Sequence, residues 1–161
     1  MSYFGLMWRQ WLKEKKKMRL TEPIEPRGSL IYTVYKKGVP IEHVEEHNLV
    51  VAGGRTRLAE LIGGQSSIPV TKIGFGVGTA QPSLADTTLE DLHVIDITSS
   101  TVSGTSVIFD WYLDEYHCNG MDIREFALFT TDDVMITHQQ RGRVISKELD
   151  VTLKGQYILS F

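Results

Sequence analysis

Along the first turns of the chain Phe4, Trp8, Trp11, Leu12 and Lys15 recur at helical spacing, with Met7 and Met18 near the same side. This pattern predicts an amphipathic helix over roughly the first 18 residues. The tract TEPIEPRG follows, and its two prolines disfavour helix and extend the chain. Residues 1–27 therefore read as an arm and linker, and residues 28–161 as a body.

In the body the period changes to two. SLIYTVYKKGVPIEHVEEHNLVV reads as two strands around a KKGVP turn. GGRTRLAELIGG reads as a short helix between glycines, with Leu58 and Ile62 one turn apart and Leu61 beside them. VTKIGFGVGT is a glycine-rich strand, and AQPSLADTTLEDL a loop with at most one helical turn. In TSVIFDWYL, Val107, Phe109, Trp111 and Leu113 alternate onto one face. IREFALFT suits a strand covered on both faces, and VMITHQQ follows it across the turn TDD. In the final segment Val151, Leu153, Tyr157, Leu159 and Phe161 share one face. Short strands between turn signals, with one short helix, predict an all-β body: an antiparallel β-sandwich preceded by the helical arm.

Composition narrows the classes. The chain has 161 residues, 42% hydrophobic and 23% charged, which fits one globular domain and argues against disorder. A single cysteine, Cys118, excludes an internal disulfide framework and a Cys-rich zinc module. The charge is unevenly placed. Residues 1–20 carry Arg9, Lys13, Lys15, Lys16, Lys17 and Arg19 against Glu14, which leaves 11 basic and 19 acidic residues for the rest. A basic arm on an acidic body suits docking onto an acidic surface, including a second copy's body. The expected interaction residues are Phe4, Trp8, Trp11, Leu12, Lys13, Lys15, Lys16 and Lys17. Trp8 and Trp11 are read as anchors in a neighbouring subunit rather than on a membrane surface. The body has no basic stripe with interleaved aromatics, so no nucleic-acid partner is expected. No stretch is long and apolar enough to span a membrane, and the N-terminal charges follow the apolar part, unlike a secretory leader.

Three motifs carry candidate chemistry. HVEEH, His43 to His47, matches a zinc-hydrolase pattern in which His43 and His47 bind metal and Glu46 acts as base. That pattern works on a helix. As a strand, Ile41, His43, Glu45, His47 and Leu49 share one face, and the histidines lie about 13 Å apart. The strand reading is preferred. GFGVG, Gly74 to Gly78, lacks the following helix that a dinucleotide site requires, so its glycines read as bulges or close backbone contacts. DEYHCNG, Asp114 to Gly120, collects acids, a histidine and the thiol, but Asn119-Gly120 is a turn signal and the segment reads as a loop tip. Metal trapping by His117 and Cys118 is its minor alternative. Arg124 and Glu125 interrupt an apolar run and are expected as a buried or interface ion pair at a subunit contact. The residues thus predict no catalytic, cofactor or metal site.

Four segments in order, EHNLVVAGGRTRLAELIGG, VTKIGFGVGTAQPSLADTTL, VIFDWYLDEYHCNGMDIREFALFTTDD and KELDVTLKGQYILSF, resemble a family of small structural proteins of tailed bacteriophages and prophages. The resemblance covers residues 46–161. It implies a non-enzymatic virion component associated with tail or baseplate, an adaptor or fibre-type part assembled in the host cytoplasm. The expected partners are other virion proteins and further copies of the chain. The long receptor-binding repeats of fibres are absent from residues 46–161, which favours an adaptor, tail-tip or surface role over host recognition. A capsid decoration or cement protein is the alternative within that class. A zinc hydrolase on His43, Glu46 and His47, and a receptor-binding module using Tyr112 and Tyr116, are the readings outside it.

Overall fold

The computed structural model describes residues 5–10 and 25–161. Residues 5–10 are helical, and Trp8 among them is 58% exposed. Phe4, Trp11, Leu12, Lys13, Lys15, Lys16 and Lys17 lie outside the described residues.

The body begins with a hairpin of β1 (Arg27–Lys36) and β2 (Val39–Val50). Its turn is tighter than expected. Lys37 and Gly38 both take positive φ, 51° and 75°, a two-residue reverse turn whose twist matches that of the strands. Val39 and Pro40 already belong to β2. The helix Ala52–Gly63 follows and stops at Gly64, whose φ of 76° suits a residue without Cβ. Leu58 packs on the core, but Ile62 is 81% exposed, so the expected apolar pair is split between core and solvent.

The remaining strands are β3 (Val70–Gly76), β4 (His93–Asp96), β5 (Ser99–Ser103), β6 (Ser106–Leu113), β7 (Asp122–Thr130), β8 (Thr137–Ser146) and β9 (Val151–Ser160). They form one sheet of nine strands in the order β4-β3-β7-β8-β2-β1-β9-β6-β5, antiparallel throughout. This sheet is curled. The Tyr32 ring of β1 lies 4.9 Å from Phe126 of β7, and Phe75 of β3 lies 5.8 Å from Trp111 of β6. Strands far apart in the order therefore face each other across one core. Between the halves β4-β3-β7-β8 and β2-β1-β9-β6-β5 the strand pairing runs through Leu49–His138 and Val50–Thr137. On the far side the two edge strands are consecutive in the chain. Ile97 N–H bonds to Thr71 O in one half and Thr98 N–H to Asp110 O in the other, so the ribbon almost closes on itself.

This topology changes the meaning of Asn119-Gly120. β6 and β7 lie in different halves and do not pair, so the segment between them is a crossover and not the tip of a hairpin. Positive φ falls on Cys118 and Gly120, at 61° and 84°.

The core follows the alternation of the strands. Phe109, Trp111 and Leu113 of β6 are buried, as are Val151, Leu153, Tyr157 and Leu159 of β9. Phe161 lies beyond β9 and is 45% exposed, outside that row. Gly155 occupies the missing place in it. It pairs with Tyr32 on one side and Trp111 on the other, whose rings stand 6.1 Å apart. A Cβ there would overlap the Ile31 carbonyl oxygen and come within 2.7 Å of the Trp111 ring. β7 is covered on both faces: Ile123, Phe126 and Leu128 point into the main core, while Ala127 and Phe129 join a second cluster with Val51, Leu89 and Met135.

Candidate functional site

The HVEEH histidines lie on β2, and the strand spreads the motif over two faces. His43 bonds to Thr33 Oγ1 at 3.0 Å and His47 to Ser29 Oγ at 3.4 Å, both on the exposed outer face. Glu46 turns to the opposite face with Glu42 and Val44, toward β8. Among the described residues no group of three His, Cys, Asp or Glu side chains is placed to hold a metal ion.

The most elaborate polar cluster forms around Glu125, which was expected at a subunit contact. Glu125 is 4% exposed and its carboxylate is engaged inside its own chain. The reason is an irregularity in the β7–β8 pairing, where the register shifts between Ile123 and Glu125. It shifts the alternation by one residue and turns Glu125 to the outer face of the sheet, beneath the loop 77–92. Arg124 is half-buried and makes no ion pair among the described residues.

Under that loop His138 Nε2 lies 2.7 Å from Glu125 Oε2, and His138 Nδ1 lies 2.7 Å from Asp86 Oδ2. Both ring nitrogens are therefore taken up by carboxylates of the same chain. The other Glu125 oxygen accepts from Gly78 N–H at 2.6 Å and Glu90 N–H at 3.1 Å. Ser83 N–H also donates to Asp86 at 2.7 Å. That backbone bond, helped by His138 and opposed by desolvation, holds the Asp86 carboxyl below the usual range. The arrangement explains two of the glycines of GFGVG, Gly76 and Gly78. A Cβ on Gly76 would stand 2.7 Å from Glu125 Oε1, and one on Gly78 would overlap the carboxylate. These glycines let a backbone reach a buried anion, and that anion belongs to the chain itself.

A second polar cluster lines the seam where β2 and β8 part beyond Leu49 and Val50. Arg141, 4% exposed, donates to Tyr32 Oη at 2.6 Å and to Glu42 Oε1 at 2.8 Å. Gln139 Nε2 donates to the Glu46 carboxylate. Side chains thus bridge the gap where backbone pairing stops. Burial raises the Glu46 carboxyl above its usual value, with Arg141 opposing. A carboxyl raised in the folded state adds stability below its unfolded pKa, and this is lost as pH rises through the folded pKa. Glu46→Gln, which mimics the protonated form, is therefore expected to raise the melting temperature slightly at pH 7. Melting curves at pH 7 and below about 4.5 should show the gain vanishing at the lower pH.

The DEYHCNG segment caps one end of the core. Asp114 accepts from the Tyr116 and His117 N–H groups and lies 2.6 Å from His117 Nδ1. Cys118 is 6% exposed, and burial pushes its thiol up to about 12. Its sulfur belongs to the core while the His117 side chain is 49% exposed, so the metal-trapping alternative has no converging ligands. Lys147 is fully buried behind this cap, its Nζ on Asn119 Oδ1 at 2.8 Å and Glu148 O at 3.1 Å. Burial lowers its pKa.

The buried polar groups share one role: Glu125, His138 and Asp86 fasten a loop, Arg141 fastens a seam and Lys147 fastens a cap. Comparison with known protein families, curated proteins and solved structures yields no match.

Proposed function

We propose that the chain is a non-enzymatic structural protein of a tailed-phage virion, a tail- or baseplate-associated adaptor or fibre-type part built on a sandwich-like β body. The ordered resemblance over residues 46–161 motivates this reading. The observation that carries it is how the chain uses its polar groups. Its most buried acids and bases act as fasteners between chain segments. Meanwhile the outer face of β2-β1-β9-β6-β5 presents exposed apolar side chains among the described residues, with Ile41 and Tyr112 exposed by 59% and 44%. An open sheet face beside an aromatic, basic arm suits a part that works by contact with neighbours.

The test is removal of residues 1–24. The cut spares Glu25, which pairs with Arg55, and Arg27, which opens β1 against Ser160. The shortened chain is expected to melt within a few degrees of the full chain and to be lost from purified particles. Incorporation equal to that of the full chain would remove the arm's role. Cross-linking within intact particles would then distinguish a place on the tail from one on the head.

A further inference from the structure

We infer that the free edge of β5 is a self-association site, at which a second copy of the chain adds its own β5 antiparallel about a two-fold axis near Thr101. The inference rests on the reading of the chain as an assembly protein and names one of its surfaces.

A strand at a sheet edge presents unpaired N–H and C=O groups, and chains that must avoid one another guard such edges with charge, proline or bulges. The strand sides left open in this sheet differ in how they are guarded. β4 has four residues, ends on Asp96 and is preceded by Asp91. The parted side of β2 carries Glu42, Glu45 and Glu46, which would repel a copy of themselves. The facing side of β8 carries Arg141 and Arg143, and the seam side chains already span the gap. β5 has none of these guards. Its sequence is Ser-Ser-Thr-Val-Ser, all five residues are exposed, and residues 97–109 contain no charged side chain. Its pairing with β6 runs over Ser99–Ser103 without a register shift.

Charge selects the occupant. An antiparallel pairing centred on Thr101 sets Ser99 opposite Ser103 and Ser100 opposite Val102, and no like charges meet. Val102 pairs with Val107 of β6, on the face that carries Phe109 into the core. Its exposed side chain would be covered by the incoming strand. The other three open sides have an acidic, basic or very short character that opposes self-pairing. An isologous contact needs only a patch compatible with itself, and β5 is that patch. Five residues form a small contact, so the association is concentration-dependent unless further surfaces join it.

The experiment uses the full chain. Cys118 is buried, so one engineered surface thiol reports alone. Thr101→Cys is expected to give a disulfide-linked species of about twice 18.2 kDa under mild oxidation, reversed by reductant. Ile62→Cys, on the exposed side of the helix, serves as the collision control. Adding Val102→Lys to Thr101→Cys places a charge on the edge at a residue that is already 76% exposed. It should slow cross-linking at least tenfold with no change in melting temperature. Equal rates for the two cysteines, or no effect of Val102→Lys, would overturn the inference. Should the chain enter particles while Thr101→Cys behaves like the control, the edge contact fails and the assembly role stands.

Discussion

Glu125→Ala is expected to destabilise the body by about 3–5 kcal/mol, because it leaves a buried His138 without one of its two carboxylates. It also strips the acceptor from the Gly78 and Glu90 N–H groups. For a domain of this size each kcal/mol shifts the melting temperature by roughly 2–4 °C, so a drop of roughly 6–20 °C should appear. Glu125→Gln keeps an acceptor oxygen for those N–H groups and loses only the charge, so its cost should be smaller. Hydrogen exchange gives the local readout: the Gly78 and Glu90 amides should lose protection before those of β1 and β9. A loss below about 1 kcal/mol in Glu125→Ala would mean that the loop 77–92 is held by its apolar contacts, with Leu89 on Phe129 the leading candidate.

Trp111→Ala is the second large effect, also about 3–5 kcal/mol, for a different reason. Trp111 is 1% exposed and its ring touches those of Tyr32, Phe75 and Phe126, which come from both halves of the curled sheet. Truncation would open a cavity where the halves meet, and Gly155, paired beside Trp111, offers no side chain to refill it. Urea unfolding should show a lower midpoint with an unchanged slope. A near-normal midpoint would mean that the two halves can close over the gap.

Much of the fold was readable because strands write their faces into alternating residues. The hairpin of β1 and β2 and the rows of β6 and β9 carry that signature, and the doubly covered β7 shows instead as a continuous apolar run. β4 and β5 escaped it, since HVID is only four residues long and SSTVS has no buried face to alternate. The polar clusters were hidden for another reason. Glu125 and His138 are 13 residues apart, His138 and Asp86 are 52 apart, and Arg141 and Glu42 are 99 apart. Only the topology brings them together. The register shift between β7 and β8 compounded the difficulty, because the alternation of β7 breaks at the residue that matters most. The glycines of GFGVG did announce a close backbone contact, but not that its object would be a carboxylate of the same chain.

The pairing of β9 between β1 and β6 sets a timetable for the growing chain. Ribosomes deliver residues in order, and of the nine described strands the one that emerges after the other eight is a central one, flanked on both sides by strands made much earlier. Until residues 151–160 are free, β1 and β6 each carry an unsatisfied side and Gly155 is not there to seat Tyr32 and Trp111. The body therefore cannot complete its core piecemeal during synthesis. Nascent chains stalled before residue 151 should remain protease-sensitive, and those released beyond residue 160 should become resistant in one step.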